Sequence, residues 1–137
     1  MKRINYWIIL VLVLASLLSA CAPKASSSTK VSPVTLEPIE GTDFKSVILT
    51  EKAAQRLDIK TAEVSGTSIP YAAVIYDTEG NTWVYTNPAP LTFVRAPIAI
   101  DHIEGDKAVL SEGLDAGTTV VTLGVSELYG AETGVSK

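Results

Sequence analysis

The sequence predicts a small, mainly β domain, an antiparallel barrel or sandwich with one short helix. Three observations lead there. Short runs rich in β-branched and aromatic residues recur, at residues 47–49, 69–76, 82–86, 91–100, 108–110 and 118–123. Turn residues fill the gaps between them, as at residues 77–80 (DTEG), 87–90 (NPAP) and 113–117 (GLDAG). Only residues 50–57 (TEKAAQRL) carry a helical pattern. Several short strands at such spacing suit a barrel or sandwich, and no internal repeat is present.

The part before this domain is of a different kind. Lys2 and Arg3 form a positive flank, residues 6–18 (YWIILVLVLASLL) an almost continuous apolar run, and Ser19-Ala20 a small-residue cleavage site. That is the order of a secretory signal. The run is shorter than the roughly 20 apolar residues of a comfortable membrane span. Leu18-Ser19-Ala20-Cys21 resembles the bacterial lipobox, in which the Cys thiol takes a diacylglycerol and becomes the mature N-terminus. The resemblance implies a signal over residues 1–20 and lipidation of Cys21. It also implies a lipid anchor on the extracytoplasmic side of a membrane in the cell envelope, in the periplasm if the host has two membranes. Cys21 is the sole cysteine, and a lone free thiol would be a liability in an oxidising compartment. Residues 22–41 are rich in Ser, Pro and Thr without apolar period, so residues 21–42 are expected to be the lipidated Cys and a disordered tether. Residues 43–137 are then the folded domain.

Charge narrows the partners. Of 11 basic residues, Lys2 and Arg3 leave with the signal, so nine face 15 acidic ones. An acidic chain without a basic run argues against nucleic acid and against an electrostatic grip on anionic lipid. The membrane link is expected to be the acyl chains, of which two or more make a stable anchor.

Along the domain, residues 47–49 (VIL) form a first brief strand. Thr50 is placed to cap the helix, with Glu51 in its first turn and Ala53, Ala54 and Leu57 on one face. Residues 59–65 alternate as a short strand, and Gly66-Thr67-Ser68 breaks it. Residues 69–76 and 82–86 flank a short Asp/Gly loop and predict a hairpin. Residues 91–100 form the next strand, with Pro97 marking an edge or a bulge. Residues 101–106 are expected to be a polar turn, residues 108–110 and 118–123 the last strands. The tail, residues 124–134, sets Leu128 and Tyr129 between glycines.

Several of these residues resemble a known family. Residues 69–77 and 80–85 (IPYAAVIYD, GNTWVY) look like a strand–turn–strand in the last domain of bacterial efflux-pump periplasmic adaptors, the membrane fusion proteins. Phe93-Val94-Arg95 resembles the strand that follows. Residues 105–121 (GDKAVLSEGLDAGTTVV) closely resemble that domain's signature, and residues 124–132 its C-terminal end. Residues 47–64 (VILTEKAAQRLDIKTAEV) are similar to the stretch at the other end of these proteins, just before their lipoyl-like half. The resemblance covers residues 47–132. In a complete adaptor the two ends flank a lipoyl-like domain, a long helical hairpin and a β-barrel. Here four residues, 65–68, separate Val64 from Ile69, and no heptad pattern exists. The resemblance therefore implies the membrane-proximal β-domain alone, of the kind found in resistance-nodulation-division-type efflux systems. In such a domain strands from the two ends meet, and the domain rests on a membrane transporter.

Catalytic chemistry finds little footing: no catalytic residues, no cofactor-binding residues and no metal ligands are expected. His102 is the only histidine. Residues 101–106 (DHIEGD) are read as a charged, solvated turn in preference to a metal cluster, because zinc needs three or four well-spaced ligands and the acidic spacing is not a calcium loop. The serines lack a nucleophile elbow, and residues 113–117 are not followed by the Lys-Ser/Thr of a phosphate loop. Trp83, Tyr85 and Phe93 are assigned to the core, since a small domain needs aromatic area. Two functions follow: a non-catalytic lipoprotein that docks on a membrane transporter or adaptor subunit, or a free-standing ligand- or ion-binding lipoprotein using the same domain.

The lipobox yields a direct test. Cys21→Ser is expected to leave an unprocessed, unlipidated precursor that no longer sorts as a mature lipoprotein. Intact-mass measurement of the membrane fraction checks it, and a mature protein without acyl mass on Cys21 would refute it.

Overall fold

The computed structural model describes residues 32–134. The signal, Cys21 and residues 22–31 of the expected tether lie outside the described residues. Nine antiparallel strands form one sheet, and its spine is the long strand β7 (Thr92–Glu104). The first half of β7 pairs with β6 (Thr82–Ala89) on one side and with β2 (Lys45–Leu49) on the other. Its second half pairs with β8 (Lys107–Glu112), which pairs in turn with β4 (Ser68–Pro70). Pro97 falls between the two partners that share one edge of β7: β2 reaches Phe93 and β8 begins at Ala99. A residue without an N–H is tolerated there because that edge has no ladder to lose.

The main path runs β1-β2-β7-β6-β9-β3, with β1 at Val34–Pro38, β3 at Lys60–Glu63 and β9 at Thr119–Leu123. The path does not return on itself, so the sheet is open and not a closed barrel. The segment after the first helix pairs with the C-terminal strand, Thr61 with Val121 and Glu63 with Thr119, so residues from both ends of the domain share one sheet.

β6 and β9 carry consecutive apolar residues, and the fold uses both faces of each. Tyr85 and Val121 point into one core with Val47, Leu49, Ala53, Phe93, Val125 and Leu128. Val84 and Val120 point into a second core with Val64, Ile69, Ala73, Ile98, Ala108 and Leu110. Two helices cover the first, α1 (Glu51–Arg56) and α2 (Val125–Thr133); β4, β8 and a 3-10 turn (Tyr71–Ala73) bound the second. Thr50 caps α1 as its residue type predicts, its Oγ1 accepting the Ala53 N–H at 3.2 Å.

Four expectations are corrected. The tether was expected to reach residue 42, but Val34–Pro38 pairs with β2, Leu36 opposite Val47, so the sheet begins earlier. A second helix follows residue 124. It was hidden because Gly130 inside it weakens it and no polar side chain caps it; burial of Val125 and Leu128 supplies what propensity lacks. Residues 69–76 are not one strand: β4 pairs with β8, the 3-10 turn intervenes, and only β5 (Ile75–Tyr76) forms the hairpin with β6. The polar turn shrinks to Gly105-Asp106, because β7 continues to Glu104 opposite Lys107. Gly105 at φ +62 makes that two-residue loop possible.

At Gly124 the C-terminal part of the domain packs against Ile59 near its start. Gly124 starts α2 at φ +87, and a Cβ there would lie 2.2 Å from Ile59 Cδ1. Gly117 has a similar φ of +86 but open space around it. Gly124→Ala should lower the urea midpoint by the equivalent of about 2–3 kcal/mol and Gly117→Ala by about 1 kcal/mol, the left-handed backbone alone. Equal losses in the two variants would show that the contact with Ile59 carries no weight.

Candidate functional site

Glu132 is the one buried charged residue among those described, 5% exposed, on the last turn of α2. A carboxylate there opposes the helix dipole and loses its hydration, so it needs partners from the sheet. It has three. The Tyr85 hydroxyl of β6 donates to Oε2, while the Lys45 backbone N–H of β2 and Arg95 Nη2 of β7 each donate to Oε1 at 3.3 Å. The Arg95 side chain is 12% exposed, so this is a buried ion pair.

Aromatic rings surround the guanidinium. Its carbon lies 4.6 Å from the Phe44 centroid, 4.9 Å from Trp83 and 5.5 Å from Tyr129. Phe44 meets Trp83 edge to face at 5.0 Å. Arg95 Nε is buried without a hydrogen-bond partner, and cation–π attraction from these rings offsets part of that cost. Trp83 extends the network outward, its Nε1 donating to Asp77 Oδ2 at 2.9 Å. Asp77 also accepts from the backbone N–H groups of Glu79 and Asn81 and from the Asn81 side chain, which fixes the β5–β6 turn. The Asn81 and Trp83 donors hold its carboxyl down at about 2.

This arrangement is a clamp. Burial, then the adjoining Glu132 carboxylate, pushes the Tyr85 hydroxyl far above its ordinary value, so it serves as a proton donor in a hydrogen bond and not as a base. Both carboxylate oxygens of Glu132 are engaged by residues of the sheet. Among the described residues no group of three or more His, Cys, Asp and Glu converges on a metal position. His102 lies on β7, not in a turn. Its exposed ring is 2.8 Å from exposed Asp101, at a bulge opposite β8.

Of the three aromatics assigned to the core, Tyr85 and Phe93 are buried and Trp83 is half-buried in the Arg95 stack. Glu132 escapes sequence reasoning because its helix does; the one hint is an acidic residue two positions before a terminal glycine, which is weak. The surface carries open, shallow depressions, one lined by Thr86, Asn87, Pro88, Gly117, Thr118 and Thr119, another by residues 97–99 with Glu112 and Gly113. Tyr71 and Tyr76 stand exposed on the segment between β4 and the β5–β6 turn. No family model, no curated protein and no solved structure matches this chain.

The clamp makes its own prediction. Glu132→Gln leaves the Arg95 charge buried without its counter-ion and should cost about 3–5 kcal/mol. Tyr85→Phe removes one hydrogen bond to a charged group and should cost about 1.5–3 kcal/mol. Replacing both charges, Arg95→Met with Glu132→Leu, should recover stability relative to Glu132→Gln. Urea unfolding measures all three; a Glu132→Gln loss no larger than that of Tyr85→Phe would deny the ion pair its role.

Proposed function

We propose that this chain is a non-catalytic envelope lipoprotein that docks its β-domain on the extracytoplasmic face of a membrane transporter, as the membrane-proximal domain of a resistance-nodulation-division-type periplasmic adaptor does. The observation that carries the reading is the pairing of β3 with β9. The segments that resemble the two ends of an adaptor are neighbours in one sheet, and residues 64–67 bridge them where a complete adaptor carries its lipoyl-like domain and helical hairpin. A short link suffices because the Ser65–Ser68 bridge already turns the chain from β3 into β4.

The other supports are chemical. The buried polar network around Glu132 holds α2 to the sheet, and its Tyr85 is unsuited to act as a base. The lipobox-like residues at Cys21 support a place at a membrane.

Chemical crosslinking in native membranes, followed by mass spectrometry, tests the reading. An adduct with a transporter or an adaptor subunit is expected. Recovery of the uncrosslinked monomer together with a tightly held small ligand would overturn docking in favour of a binding lipoprotein.

A further inference from the structure

We draw no further inference here: the strongest candidate, the exposed aromatic patch of Tyr71 and Tyr76 on the uncharged segment between β4 and the β5–β6 turn, carries nothing because nothing in the structure shows what covers it.

Discussion

β6 and β9 have two apolar faces each, and the remainder of the domain is arranged to cover them. A strand pair of this kind cannot lie on a surface. Tyr85 and Val121 require a lid on one side, Val84 and Val120 on the other. The first lid comes from both ends of the sequence, α1 following β2 and α2 following β9. The second comes from the middle, where β4 and the far half of β7 and β8 fold over. The long spine β7 serves both cores, Phe93 in one and Ile98 in the other, and so couples them through one backbone. Deleting either end would expose a face of the central pair.

The price of closing the first core with so short and glycine-rich a helix is met by charge. α2 has Gly130 within it, no side-chain cap and an acidic residue at the wrong end for its dipole. Val125 and Leu128 give it apolar contact, but non-directional contact does not fix how the helix lies. Glu132 does, because it reaches β2, β6 and β7 at once. A buried ion pair adds little net stability over an apolar replacement, yet it penalises every alternative docking of α2 that would leave Arg95 or Glu132 unpaired. The aromatic sleeve of Phe44, Trp83 and Tyr129 excludes water from that pair and draws the β1–β2 turn, β6 and α2 around one guanidinium.

Much of the fold was legible where local chemistry and tertiary demand agree. Thr50 with Glu51 and Ala53 announces α1, and the alternation at residues 59–65 announces β3. The consecutive β-branched residues at 118–123 announce a strand but not its two-sided burial. Legibility fails where distant contacts override local preference. Residues 69–76 have the composition of one strand, yet Pro70 and the N–H of Tyr71, given to Asp106 O, turn the chain out of β4. Val34–Pro38 is polar enough to pass for tether because an edge strand with one exposed side needs few apolar residues. Of the clamp, Trp83 and Tyr85 were visible as aromatics, but their partners Arg95 and Glu132 are far apart in sequence and only topology unites them.

The earlier start of the sheet changes how an anchored domain would be held. With the tether read to residue 42, the domain would sit on a leash of about twenty residues and its orientation would be free. With β1 in the sheet, the described chain enters beside the β6–β7 tip, where the Thr50 N–H bonds Pro33 O and the Leu49 N–H bonds Leu91 O. The strained Leu91 lies at that same end. Its left-handed backbone is held by the bond from Leu49 N–H to its carbonyl and by the Asn87 amide, so the sheet, and not local preference, sets the conformation of the turn.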